Sequence, residues 1–323
     1  MPNTAAAPAE GRSADPATRL LDVVIVAWRS PDLLRACLRT LLENLPAGGD
    51  TVVHVVDNAS GDGTPNMVAA EFAAVHLHRL PENAGFSAAN NVILRESTAE
   101  YALVLTPDTE IREGVLDHLI TLLREREDVG IVGCRLVQPD GTFDHAAKRS
   151  FPTPASALAH FTGIGRRLTG GSLAQYRATE IDEHDVGEVD ALNGAFMLVR
   201  HQALRDVGLF DEGYWLYMED LDWCARFWER GWKVLYDGSV TALHVKGGSA
   251  GKHRAWKTNL HFHRGMGRFY RRHQAGKNTA LDTVVYAGIG AKLAASASRS
   301  WWARLRVRER LKRVTGRRPR RGS

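Results

Sequence analysis

The 323-residue chain is 44% hydrophobic and 24% charged, which supplies apolar material for one large core or one and a half. Three isolated cysteines, Cys37, Cys134 and Cys224, exclude a disulfide frame and a cysteine zinc site and fit a reducing compartment; no run of 18 uncharged apolar residues occurs, which excludes a transmembrane helix of ordinary length. The net charge of +5 is uneven: residues 299–323 hold eleven Arg/Lys against one Glu, so the other 298 residues carry −5 and the basicity belongs to the tail.

Residues 1–20, opening MPNTAAAPAEGRSADPATR, are Ala/Pro-rich with no apolar stretch behind a basic start. They are expected to form a disordered leader rather than a signal peptide. From Leu21 to Val137, β-rich runs alternate with helical spacing. DVVIVA (22–27), TVVHVV (51–56), VHLHRL (75–80), YALVL (101–105) and GIVGCRLV (130–137) read as strands, and Leu33, Leu34, Cys37, Leu38, Leu41 and Leu42 mark the first helix. Strands spaced by helices predict a doubly wound α/β fold with a mostly parallel sheet. Ligands of such sheets sit beyond the carboxyl ends of the strands. That rule gathers Ala27–Trp28, Asp57–Asn58, Asn83–Phe86 and Thr106–Asp108 on one rim. Residues 138–185 are irregular, and DALNGAFMLVR (190–200) then reads as a strand, followed by a helix and the turn GLFDEGY. A helix opens near Glu219, two short strands end at Tyr236 and His244, and the chain beyond about residue 275 looks like an appendage.

The rim is polar without a classical phosphate loop. Neither a G-x-G-x-x-G after the first strand nor a Walker motif is present, so a nucleotide would bind by another geometry. Asp57 can accept from a base N–H, or VVDNASGDGT can be a simple turn. In PENAGFSAANN, Asn83 and Gly85 suit a tight turn and Ser87 a helix cap, while Asn90 and Asn91 fall in the first helical turns. Three asparagines and a glycine can instead present donors to phosphate or sugar oxygens. Pro107 stiffens the loop before Asp108. A carboxylate there can hold a hard divalent cation bridging two phosphates, or it can cap the helix near Gly114.

YWLYMEDLDWCARFWERGW is the densest stretch. Leu221, Ala225 and Trp228 form an apolar face. Glu219, Asp220 and Asp222 crowd the first turn, where the helix dipole favours anions and Asp222 can pair with Arg226 at i,i+4. Asp220 and Asp222 lie about 200° apart on a helix, so one is expected to be catalytic, as a general base, and the other structural. His244, at a strand end before Gly247–Gly248–Ser249, is either structural or a ligand to the same metal from the opposite side.

Together these pieces resemble the inverting glycosyltransferases of family 2, which have the GT-A nucleotide-sugar fold. VVIVAWRS, VVDNASGDGT, ENAGFSAANN, LTPDTEI, NGAFMLVR, GLFDEGYWLYMEDLDWCAR and H-x-x-GGS recur in order over residues 21–250. Within the family the look is that of bacterial rhamnosyltransferases of cell-wall and O-antigen assembly. The resemblance implies a nucleotide-sugar-binding half over 21–137, an acceptor and catalytic half over 138–274, and a basic amphipathic appendage over 275–323. It also implies that Asp57 contacts the base and that Asp108 and His244 hold a divalent cation, Mg²⁺ or Mn²⁺, on the diphosphate. Asp220 becomes the general base. Ala27, Trp28, Asn58, Asn83, Gly85, Phe86, Asn90, Thr106 and Pro107 complete the donor side, and Asn193, Gly194, Trp215, Tyr217 and Glu219 line the acceptor side. Two positions depart from the family pattern: Thr106 stands where Asn or Asp is common, and Ala27 where Asn often precedes the aromatic residue.

The implied donor is a dTDP- or UDP-linked sugar, with rhamnose the first expectation, and the implied acceptor is a glycan or a polyprenyl-diphosphate-linked sugar. A nucleotidyltransferase would share the sheet and metal carboxylates but would not need the Glu-Asp helix beside aromatics. A polyanion-binding protein would need only the tail. Trp301, Trp302, Leu305, Val307, Leu311 and Val314 between the tail's basic residues instead fit an amphipathic helix on anionic lipid. The expectation is a cytoplasmic protein, peripheral on the inner membrane face, with no nucleic acid partner.

Overall fold

A computed structural model describes residues 19–152, 180–245, 256–276 and 278–296. Residues 1–18 of the leader, the tail over 299–323 and the glycines of the H-x-x-GGS loop lie outside the described residues, whereas Arg19 and Leu20, expected in the disordered leader, are ordered: Arg19 donates to Asp22 at 2.7 Å and Leu20 is buried.

The first half alternates as its pattern predicts. Strands β1 (Leu21–Ala27), β2 (Thr51–Asp57), β3 (His76–Arg79) and β4 (Tyr101–Leu105) are interleaved with helices α1 (Pro31–Glu43), α2 (Thr64–Glu71) and α3 (Phe86–Leu94). β1 is buried along its whole length, as expected of a Val/Ile-rich strand covered on both faces. In α1, Leu34, Cys37, Leu38 and Leu41 face the core. A short strand β5 (Thr109–Glu110), helix α4 (Val115–Glu125) and strand β6 (Val129–Val137) follow.

The second half enters the same sheet. Beyond the small strands β7 (Lys148–Arg149), β8 (Val186–Glu188) and β9 (Ala191–Leu192) come β10 (Phe196–Arg200), α5 (His201–Val207), α6 (Glu219–Glu229) and β11 (Lys233–His244). The sheet order is β3-β2-β1-β4-β10-β6-β11-β5, with β8 on β11, while β7 pairs with β9 separately. β10 runs antiparallel to both β4 and β6, and the β1–β2, β1–β4, β2–β3 and β6–β11 pairs are parallel. Helix α7 (Trp256–His273) packs over the loop before α6, and a further helix, α8, covers 279–296.

Three local readings differ from the structure. The run 190–200 is two strands, broken at Asn193–Gly194. The stretch ending at Tyr236 and His244 is one strand, β11, whose register against β6 shifts between Asp237 and Thr241; a bulge keeps pairing on both sides of an irregularity. Ser87 does not cap α3: Gly85 is its N-cap, and the Ser87 hydroxyl donates instead to the Tyr214 carbonyl at 2.7 Å.

Candidate active site

The parallel register sets the rim at the carboxyl ends of the strands. Ala27 and Asp57 are direct neighbours at the ends of β1 and β2, and the Asn58 N–H donates to the Ala27 carbonyl at 2.9 Å. The loops beyond are tied by Arg29, whose backbone N–H and Nε donate to Ser60 at 3.0 Å each. Trp28 stands out of this junction, 41% exposed, an aromatic face at the mouth of the sheet. Asp57 is buried, yet among the described residues its Oδ1 meets no hydrogen-bonding group, and the same holds for Oδ1 of Asn90. A buried acceptor without a donor costs about 1–3 kcal/mol, and a base or sugar donor on this rim would supply one.

The other amides work inside the protein. Asn58 donates to the Gly85 carbonyl at 3.1 Å and accepts from the Ala84 N–H at 2.8 Å, and the Asn83 side chain accepts from the Gly85 N–H at 3.0 Å. Asn91 accepts from the Phe210 N–H and donates to the Phe210 carbonyl and Glu212. These amides therefore shape the loop rather than present donors outward. The loop lies hard against the opposite wall. Phe86 N–H donates to the Trp215 carbonyl at 2.7 Å, and Gly85 has φ +88°, where an added Cβ would meet that carbonyl and come within 2.6 Å of the Trp215 ring. Only glycine fits there.

At the sheet mouth, Asp108 is 6% exposed and is no helix cap: α4 starts after Gly114 with no side-chain cap. Antiparallel pairing of β5 with the end of β11 sets His244 opposite Thr109, and Val245 N–H donates to the Asp108 carbonyl at 2.8 Å. His244 Nε2 consequently lies 3.7 Å from Asp108 Oδ1. Its other ring nitrogen, Nδ1, is 2.9 Å from Asp144 Oδ2. An ionised carboxylate only accepts, so Nδ1 donates to Asp144 and Nε2 is the ring nitrogen turned toward Asp108. That carboxylate–histidine relay is the arrangement that orients metal-ligating imidazoles. Among the described residues no three His, Cys, Asp or Glu side chains form a metal site by themselves. Asp108 and His244 thus fit an ion whose remaining ligands come from phosphate and water. Thr106 joins its hydroxyl to that of Thr109 at 3.0 Å, holding the loop rather than supplying a carboxylate.

The acidic helix start separates its three acids. Tyr217 and Met218 have φ +71° and +75°, a pair of left-handed residues costing about 1–2 kcal/mol each that turns the chain into α6. Such strain persists only where packing enforces it. Met218 is buried and Gly265 of α7 lies under the Tyr217 carbonyl. Asp222, fully buried, accepts from Arg226 Nε at 2.9 Å and Tyr214 OH at 3.2 Å, and meets His273 Nε2 at 2.9 Å. Burial alone would raise its pKa, but His273 and Arg226 outweigh it and hold the carboxyl below its usual range. This acid is structural.

Asp220 points the other way. Its Oδ2 accepts from Arg149 Nη2 at 2.5 Å and from the Gly194 N–H at 3.2 Å, while Oδ1 accepts from the Leu221 N–H at 2.8 Å. The break between β9 and β10 is what frees the Gly194 N–H for this contact, and Phe86 of the donor loop packs 3.7 Å from where a Gly194 Cβ would stand. Glu219 is buried, and its Oε2 has no hydrogen-bond partner among the described residues. Burial, and then the Asp220 charge, raise its pKa well above the usual carboxylate value. Two adjacent buried acids are thus differentiated: one held by a guanidinium, the other favouring its proton.

The family model described as glycosyl transferase family 2 matches residues 22–208, the span that carries β1 through β10. The chain belongs to glycosyltransferase family 2. It is 28% identical over 248 residues to N-acetylglucosaminyl-diphospho-decaprenol L-rhamnosyltransferase of Mycobacterium tuberculosis, covering 73% of this chain and 79% of that one. It is 26% identical to the rhamnosyltransferase WbbL of Escherichia coli over 50% of this chain and 60% of the relative. Among solved structures it shares its fold with GalNAc-T7 bound to UDP, GalNAc and Mn²⁺, at TM-score 0.54 and 13% identity, over 88% of this chain and 58% of the other. The fold is that of GT-A glycosyltransferases, and the chain is a glycosyltransferase.

Two residues that touch the candidate site escaped the sequence reading. Asp144 lies in an irregular stretch with no periodicity to mark it, and Arg149 reads as one basic residue among many. The signal available was only local: Asp144 opens a turn in which it accepts from the Ala146 N–H, and Arg149 adjoins a proline-rich run. Neither feature names a partner.

Proposed function

We propose that this protein is a metal-dependent, inverting glycosyltransferase that moves rhamnose from dTDP-rhamnose to a hydroxyl of a glycan or of a polyprenyl-diphosphate-linked sugar. The observation that carries the reading is the separation of labour between Asp108–His244 at the sheet mouth and Asp220 beside Asn193–Gly194. The rhamnosyltransferase names of the relatives support the sugar, and the diphospho-decaprenol in one name supports the acceptor class.

In this reading Asp57 and Trp28 hold the nucleoside and the loop Asn83–Phe86 closes over the sugar. Asp108 and His244 would hold a divalent cation, which would supply neutralisation of the charge on the departing diphosphate. Asp220 removes the proton from the acceptor hydroxyl as its oxygen bonds to the anomeric carbon. The carbon–oxygen bond to the diphosphate breaks at the same time and its electron pair leaves with the nucleotide. One base and no protein nucleophile imply a single displacement, so the anomeric configuration inverts. Among the described residues no helix is long and apolar enough to cross a membrane; attachment of the basic tail to the inner membrane surface is part of the proposal.

The test is a panel of nucleotide sugars with Mg²⁺ or Mn²⁺, read by thermal shift and by NMR of the glycoside formed. The expected result is stabilisation and transfer with dTDP-rhamnose, an inverted product, and loss of both donor stabilisation and transfer with EDTA. Transfer from a different donor would overturn the sugar, retention of configuration the mechanism, and full activity in EDTA the metal.

A further inference from the structure

Helix α7 carries Lys257, His261, Arg264 and Arg268 at spacings of four, three and four residues, a single stripe down one side of a helix. The stripe's two ends meet different surroundings. At the carboxyl end Arg268 makes two bonds to Asp211, at 2.9 and 2.8 Å, and the adjacent Arg272 reaches the same carboxylate at 3.1 Å. At the amino end Lys257 and Arg264 are exposed and have no acidic partner among the described residues. His261 lies between them, and burial followed by the Lys257 and Arg264 charges depresses its pKa. Two cations therefore flank an imidazole at this end, with no acidic side chain beside them among the described residues.

This uncompensated end sits on Trp215. The His261 ring stacks on the indole at 4.6 Å and 27°, and Lys257 Nζ lies 5.0 Å from the ring centroid. Trp215 is the residue whose carbonyl receives the Phe86 N–H of the donor loop, and it precedes Asp220 by five residues. The cations thus border the acceptor side, at the point where donor loop and catalytic helix meet. Lys257 and Arg264 leave an anion position open beside this stacked pair among the described residues, whereas Arg268 and Arg272 lower on the helix share Asp211.

We propose that Lys257, His261 and Arg264 form a recognition site for a phosphate group carried by the acceptor, so that the protein selects phosphorylated or diphosphate-linked sugars over neutral glycans. The proposal rests on the glycosyl-transfer reading for its acceptor and deepens it by assigning the anionic part of that acceptor to residues of α7.

The experiment compares an alkyl diphosphate of N-acetylglucosamine with the neutral alkyl glycoside of the same sugar. The native chain, Lys257→Ala/Arg264→Ala, and the charge-preserving Lys257→Arg/Arg264→Lys are assayed, with calorimetric binding of each acceptor measured beside turnover in saturating nucleoside diphosphate to fill the donor pocket. In the alanine variant, KM and Kd for the diphosphate acceptor should rise about tenfold, the scale of losing two part-exposed charge contacts. KM for the neutral glycoside, and the melting temperature, should stay as in the native chain, and the charge-preserving variant should behave as native. Equal effects on both acceptors, or none on the diphosphate, would overturn the proposal. So would loss of binding to phosphatidylglycerol vesicles with unchanged acceptor KM, which would make the stripe a lipid contact. If neither acceptor is glycosylated by any donor, the glycosyl-transfer reading fails by itself, and the binding comparison still decides the phosphate site.

Discussion

Replacing Asp220 with asparagine separates the catalytic work proposed for it from its structural work. The Arg149 and Asp220 side chains are 13% and 11% accessible, so this is a largely buried ion pair. Removing one partner of such a pair costs about 3–5 kcal/mol when the other charge is stranded. Asparagine keeps one oxygen for Arg149 and the Gly194 N–H, worth about 1 kcal/mol as a neutral hydrogen bond. Its amide nitrogen then faces the Leu221 N–H, which loses its acceptor. The expected net loss is about 1–3 kcal/mol, small enough for the protein to remain folded. Turnover should fall about 100- to 10,000-fold, the range for one acid–base group, with donor affinity nearly unchanged. Adding Arg149→Met removes the cation that asparagine no longer neutralises, together with its bond to the Leu192 carbonyl, so the double variant should lose less stability than the sum of the single variants and recover none of the activity. Urea denaturation gives the stability cycle, and transfer kinetics at saturating donor give the rate. A folded Asp220→Asn protein turning over within about threefold of native would refute the base assignment. Strictly additive stability losses in the double variant would refute the coupling to Arg149.

Asp144→Asn should weaken divalent-dependent donor binding about 10- to 100-fold, as loss of an imidazole-orienting carboxylate does elsewhere, and superimposable Mn²⁺ titrations of the two proteins would contradict it. Gly85→Ala should cost about 2–4 kcal/mol, combining its glycine-only backbone with loss of the Phe86–Trp215 hydrogen bond; an unchanged melting temperature would show that the loop relaxes freely. The Asp222–His273 contact predicts a pH dependence with opposite limbs. Burial lowers the His273 pKa, but Asp222 and Glu229 outweigh it and raise it overall, so its stabilising contribution is complete below about pH 6.5 and is lost as pH rises through the folded value. The depressed Asp222 pKa makes its contribution complete above about pH 3.9 and lost as pH falls through the folded value. Stability measured from pH 6 to 9 should therefore decline more steeply in native protein than in His273→Gln, and parallel curves would show that the histidine gains nothing from its partners.

The sequence by itself determined the elements and the rim. β-branched runs, helical spacing and the Pro/Gly punctuation around Asp108 and Gly85 are local signals, and the carboxyl-end rule then gathers Asp57, Asn83 and Asp108 without knowledge of strand order. The split between Asp220 and Asp222 was legible for the same reason, since helical geometry alone turns them apart. Only the tertiary structure decided what each acid meets. Arg149 reaches Asp220 across 71 residues and Asp144 reaches His244 across 100, contacts that depend on where β7 and the end of β11 lie relative to α6 and β5. The break at Asn193–Gly194 carries a local mark, an Asn-Gly pair whose Asn193 side chain accepts from the Ala195 N–H, but the meeting of the freed Gly194 N–H with Asp220 left none. Local chemistry writes periodicity into a sequence; partners joined by sheet order leave no such trace.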